Sequence, residues 1–92
     1  MYTILPYTKK KAKKLNVIIK PSKRPGKKID IFNKSGKYIT SIGAYGYMDY
    51  PTYKKLFGTE IAEYKKRMYK KRHQSDRLVK GSRGWYADQL LW

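Results

Sequence analysis

Hydrophobic positions along the chain keep two different periods. Between residues 15 and 42 they come in short β-branched or alternating runs, and from residue 50 onward they recur three and four apart. The first pattern predicts three strands. Residues 15–20 (Leu-Asn-Val-Ile-Ile-Lys) form a β-branched run that stops at Pro21. Residues 27–32 place Ile29 and Ile31 on one face and Asp30 on the other. Residues 37–42 follow a turn at Asn33-Lys34-Ser35-Gly36, where glycine can adopt a positive φ. Residues 21–26 form a loop that Pro21 and Pro25 hold out of regular structure, and it carries Lys23 and Arg24. Three strands in succession predict an antiparallel meander, which needs something packed on its face to be stable.

The second pattern predicts helices. Asp49 is placed to cap a short helix over residues 50–57, with Pro51 in its first turn and Gly58 as its stop. Thr59 is placed to cap a longer helix with Glu60 and Glu63 near its positive end. Its expected apolar stripe is Ile61, Tyr64 (or Ala62) and Met68, and its outer surface carries Lys65, Lys66, Arg67, Lys70, Lys71 and Arg72. The i,i+4 repulsion among these bases asks for a partner that relieves it. After a mixed linker over residues 74–80, Gly81 and Ser82 introduce a last helix from Arg83 or Gly84 to Leu91, apolar over much of its circumference. Such a helix folds only by packing. It closes the sheet, or it presents Trp85, Tyr86 and Trp92 to a partner as aromatic anchors.

Ahead of the strands, residues 2–7 read as an apolar, extended hook with Tyr2, Leu5 and Tyr7 as anchoring side chains, because Pro6 disfavours helix before it. Lys9, Lys10, Lys11, Lys13 and Lys14 follow in a run whose self-repulsion predicts an extended basic arm over residues 1–14. The arm suits a localisation-like patch, a phosphate-binding arm or a solvated tail. The expected organisation is that arm followed by one small α+β domain over residues 15–92, a three-stranded meander with two or three short helices packing on it.

Composition sharpens this picture. The chain has 92 residues and 23 Lys and Arg against 6 Asp and Glu, a formal charge of +17. Self-repulsion of that size opposes the compact state and favours polyanionic partners: nucleic acid, an anionic surface or an acidic protein face. Ten tyrosines and two tryptophans accompany the charge, unlike a disordered basic tail, and can fill a core, stack on bases or anchor an interface. There is no cysteine, which excludes disulfides and thiolate metal sites and suits a reducing compartment. No apolar run approaches the roughly 20 residues of a membrane span. Residues 1–6 are too short for a signal-peptide core, so a soluble, unsecreted protein is expected.

Candidate chemistry is sparse. One histidine and six scattered acids offer no metal-ligand spacing. His73 lies beside Arg72, which disfavours its charged form, and Asp76 three residues on is a helix-end partner for it. Ser35, Ser41, Ser75 and Ser82 lack a nucleophile elbow, and no P-loop is present. The expectation is a non-enzymatic protein with no cofactor, no metal and no small-molecule ligand. Residues 43–46 (Gly-Ala-Tyr-Gly) are similar to the phosphate-clamping loop of KH domains, although glycines leaving a strand also simply turn the chain.

Three blocks carry a wider resemblance: residues 42–50 (Ile-Gly-Ala-Tyr-Gly-Tyr-Met-Asp-Tyr), residues 69–73 (Tyr-Lys-Lys-Arg-His), and Gly84-Trp85-Tyr86 through Leu90-Leu91-Trp92. In order and spacing they resemble an uncharacterised family of short basic proteins encoded by large double-stranded DNA viruses of algae and protists. Ile42 stands where relatives often carry an aromatic. The resemblance implies a viral setting and no established activity. In that setting the chain is expected to be a minor capsid or virion-cementing protein, located in the virion and in the host cytoplasm or nucleus during assembly. Its expected partners are viral capsid proteins, other acidic surfaces or the packaged genome. The alternative is a sequence-nonspecific DNA- or RNA-binding protein acting through phosphate contacts.

Overall fold

The structure, a computed structural model, describes residues 2–92, and Met1, the first residue of the expected arm, lies outside them. The elements run α1 (Pro6–Leu15), β1 (Ile18–Pro21), β2 (Lys27–Phe32), β3 (Tyr38–Ala44), α2 (Tyr50–Phe57), α3 (Thr59–Arg72), a 3-10 turn (Asp76–Leu78) and α4 (Arg83–Leu91). The class is α+β, with one antiparallel sheet in the order β1-β2-β3. The chain divides into two compact units, one ending at Tyr47 and the other spanning Met48–Trp92.

In the first unit the expected meander forms. Ile29 pairs with Ile42, Asp30 with Ser41 and Ile19 with Ile31. Ile29, Ile31 and Ile42 are fully buried, so the period-2 pattern points a compact isoleucine cluster to one side of the sheet. Pro21 ends β1, an edge strand, where its missing N–H interrupts no inner ladder. The turn after β2 is closed by Asn33, whose Oδ1 accepts from the Ser35 and Lys37 amides at 3.1 and 2.9 Å, while Gly36 takes φ +89°. β3 runs two residues further than expected, to Ala44 opposite Lys27. Gly43 therefore belongs to the sheet, and Gly46 lies in the turn that follows it.

The expected extended arm is instead a helix. Pro6 occupies the first turn of α1, where the absent N–H costs nothing. Thr8 and Ala12, one turn apart, are buried, and α1 contacts β1. Lys13 and Lys14 sit in the last turn, favoured by the negative end of the helix. Asn16 then takes the left-handed conformation (φ 59°), and Val17 N–H returns to the Ala12 carbonyl at 3.2 Å. This cap is why β1 begins at Ile18 and not at residue 15. The hook over residues 2–7 is extended only up to Leu5.

In the second unit Asp49 caps α2 as expected, its Oδ1 accepting from the Thr52 amide and hydroxyl at 3.1 and 2.6 Å. Gly58 (φ +93°) joins α2 to α3, and Thr59 is the first residue of α3 without capping it. The inward face of α3 keeps the alternative Ala62 of the expected stripe and leaves Ile61 and Tyr64 outside it. Ala62 and Tyr69 are buried, whereas Ile61 and Tyr64 are 44% and 51% exposed. Small Ala62 and Tyr69, two turns apart, share the buried face of α3, and Tyr69 is held there by an aromatic row. His73 stacks on Tyr69 (centroids 4.4 Å apart), Tyr69 stacks on Trp92 (4.4 Å, 7° between planes), Trp92 meets Tyr53 (6.2 Å) and Tyr53 meets Phe57 (6.3 Å).

Ser82 caps α4, accepting from the Trp85 amide at 3.2 Å. Gly84 lies against the 3-10 turn so closely that a Cβ there would meet the Asp76 carbonyl oxygen and Cβ at 3.0 Å. Gly84→Ala is therefore expected to destabilise the protein by about 1–2 kcal/mol, the overpacking cost less the small gain in helix propensity. A thermal melt checks this. An unchanged midpoint would mean that the turn yields freely.

Candidate polyanion-binding surface

Folding sorts the basic residues into those held by the protein and those projected outward. On α1, Thr8 and Ala12 point inward, so Lys9, Lys10, Lys13 and Lys14 are all exposed. They form two i,i+4 pairs, Lys9 with Lys13 and Lys10 with Lys14. Lys11 is half-buried, its Nζ 4.9 Å from the Tyr7 ring centroid and donating to the Tyr7 hydroxyl at 3.1 Å. Tyr7 thus pairs with a lysine of its own helix. Tyr2 and Leu5 are half-buried, with the ammonium of buried Lys28 5.3 Å from the Tyr2 ring.

The loop between β1 and β2 is built on Asp30. This carboxylate is 8% exposed. It accepts from Ser22 Oγ at 2.5 Å, Ser41 Oγ at 2.6 Å and the Lys23 amide at 3.2 Å. Burial alone would raise its pKa. The hydrogen bonds from Ser22, Ser41 and Lys23, with the charge of Arg24, outweigh burial and hold it below the ordinary value of 3.8. Asp30 thereby fixes the backbone that displays Lys23 and Arg24, both exposed. The Arg24 guanidinium lies 4.7 Å from the Tyr38 ring centroid. Tyr38 also hydrogen-bonds Ser41 at 2.7 Å, which links the ring to the Asp30 cluster.

On α3 the predicted bases divide. Lys70 Nζ donates to Asp88 Oδ1 at 2.8 Å, and Asp88 is only 4% exposed. Lys66 lies 5.0 Å from the Tyr50 ring centroid. Tyr50 in turn donates to Glu63 at 2.5 Å; that hydrogen bond, then the charges of Lys66, Arg67 and Lys54, lower the Glu63 pKa despite some desolvation. Arg67, Lys71 and Arg72 are exposed, with Arg67 and Lys71 one turn apart. Among the aromatic anchors, Trp85 and Tyr86 are half-buried and meet edge to face at 5.0 Å. Trp92 is 8% exposed and turned into the ring row, so it is a packing residue and not an outward anchor. Burial, with the charges of Asp88 and Asp76, pushes the Tyr69 phenol up to about 12, and it stays neutral in the row.

His73 and Asp76 meet as their spacing suggested, Nδ1 3.1 Å from Oδ2, and this contact lowers the Asp76 pKa. Among the described residues no three His, Asp or Glu side chains gather as a metal site, and no helix is long and apolar enough to cross a membrane.

The charge is unequal between the units. Twelve of the 23 Lys and Arg and one of the six acids fall in residues 1–47, a net +11, and the remaining eleven bases and five acids leave +6 for residues 48–92. The exposed bases predicted from sequence thus cluster on α1, on the Lys23–Arg24 loop and on the outer side of α3. Sequence reasoning missed the rings that hold Lys11, Arg24 and Lys66. The abundance of tyrosine beside lysine was the available signal. No protein-family model, curated protein or solved structure matches the chain.

Proposed function

We propose that this is a non-enzymatic, highly basic virion protein, a minor capsid or cementing component that contacts acidic protein surfaces or the packaged genome. The supporting observation is the outward face of α1, where Lys9, Lys10, Lys13 and Lys14 are all exposed on a helix anchored by buried Thr8 and Ala12. The helix fixes the Cα–Cβ directions of these lysines, so their flexible ammonium groups are all projected from one anchored element toward a polyanion. The viral setting rests on the resemblance of the three sequence blocks. A second reading, sequence-nonspecific nucleic-acid binding through phosphates, is favoured by Tyr45 and Tyr47, 53% and 76% exposed beside Gly46, since exposed rings can stack on bases.

The two readings separate in a titration of the protein against random duplex DNA and against polyglutamate at about 50, 150 and 300 mM salt. Binding to DNA should weaken by about 0.9 log unit per log unit of salt for each phosphate neutralised. Reversing Lys9, Lys10, Lys13 and Lys14 to glutamate should flatten that slope by up to about 3.6, about 0.9 for each lysine that meets a phosphate. Binding to polyglutamate but not to DNA places the protein against acidic neighbours in the shell. Failure to bind either polyanion at the lowest salt overturns the proposal.

A further inference from the structure

The second unit carries an apolar surface that neither its core nor its cationic faces use. Leu56 and Phe57 end α2 at 58% and 56% exposure, and Ile61 and Tyr64 lie one turn apart on α3 at 44% and 51%. The rings among them are linked through Tyr53 and Lys65. Phe57 packs on Tyr53 at 6.3 Å, and Lys65 lies 5.6 Å from the Tyr53 ring centroid and 6.0 Å from that of Tyr64. A single lysine thus bridges the rings of α2 and α3. Four large apolar side chains exposed together at one helix corner are unusual on a protein that acts only through charge.

Helix propensity does not require them. Ala62 and Tyr69 already supply the packing face of α3, and Gly58 ends α2 whatever its last side chains are. The strongest apolar residues of α3 have been turned outward while a small alanine faces in. The corner also has a charged rim: Lys54 and Lys55 are exposed in the last turn of α2, Lys65 sits at its centre, and Glu60 is exposed in the turn before Ile61.

We propose that this corner is a docking surface for an amphipathic, acidic helix of a partner protein. Ile61 and Tyr64 are offset by about 4.5 Å along α3, a spacing that leucines at i, i+3 or i+4, and i+7 of an incoming helix can straddle. Carboxylates flanking that stripe reach Lys54, Lys55 and Lys65. Glu60 sets one requirement on the incoming helix, a neutral or basic residue opposite it. The inference stands apart from the polyanion reading, because it requires an apolar stripe that nucleic-acid phosphates lack.

The test uses the full chain labelled with nitrogen-15. The first probe is a synthetic peptide of about four helical turns, with leucine at i, i+3, i+4 and i+7 and glutamate at most other positions. Controls are a peptide of identical composition with the leucines scattered, and vesicles of mixed neutral and anionic phospholipid. Amide shifts should concentrate at residues 54–65 with the patterned peptide only. The double variant Leu56→Ser and Ile61→Ser, at exposed positions outside the ring row, should weaken its binding at least about tenfold at unchanged charge. Equal binding of both peptides, vesicle binding in place of peptide binding, or an unaffected double variant each overturns the proposal. Loss of DNA binding by the lysine reversals on α1 leaves it standing.

Discussion

Trp92→Ala is expected to lower the unfolding free energy by about 3–5 kcal/mol, the cost of truncating a large buried aromatic. Trp92 is 8% exposed and holds the middle of the ring row, nearly parallel to Tyr69 and tilted against Tyr53. Removing it deletes two aromatic contacts and leaves a cavity between Tyr53 and Tyr69. Trp92→Phe keeps one face of the stack and should lose about half as much. A urea titration followed by Trp85 fluorescence measures both. A loss under about 1 kcal/mol for the alanine variant would mean that the row closes without its central ring.

Asp30→Ala is the second large effect, expected at about 2–4 kcal/mol, since three donors lose an acceptor in a site with little access to water. Asp30→Asn keeps one oxygen in place and should cost less. The carboxylate also imposes a pH dependence. Its folded pKa lies below the ordinary 3.8, so its stabilisation is fully present above that value and is lost as pH falls through the lowered folded value. Stability measured from about pH 6 down to about pH 2 should fall along an acid limb that Asp30→Ala flattens. An identical limb in the variant would assign the acid sensitivity to other carboxylates. Because Asp30 holds the Lys23 amide, the alanine variant should also loosen the loop that displays Lys23 and Arg24.

Much of the fold was legible because its signals are local. β2 and α2 fall on the expected residues, and Asp49 and Ser82 cap their helices as their positions implied. The failures share a cause. α1 is anchored through Thr8 and Ala12, side chains too small or polar to register as a hydrophobic stripe, so its lysines dominated the reading. On α3 the small alternative Ala62 is inside, while the larger Ile61 and Tyr64 of the expected stripe are outside. Hydropathy ranks side chains by transfer energy, but close helix approach favours small ones. The candidate surface was legible as a set of residues and not as an arrangement. Lys70 looks like its neighbours in sequence, yet its partner Asp88 lies 18 residues away. Only tertiary structure separates it from Lys71.

The ring row also bears on the order in which the second unit assembles. α2 and α3 are consecutive, joined at Gly58, and can meet by closing a very short loop. The contact between Tyr53 and Trp92 closes a loop of about 40 residues, and the entropy of closure grows with that length. The helical hairpin is therefore expected to form first, and Trp92 to dock afterwards on Tyr53 and Tyr69. A contact absent from the transition state acts as a latch: it leaves the folding rate nearly unchanged and slows escape from the native state. On this view the last side chain of the sequence sets how long the unit stays folded, more than how quickly it gets there.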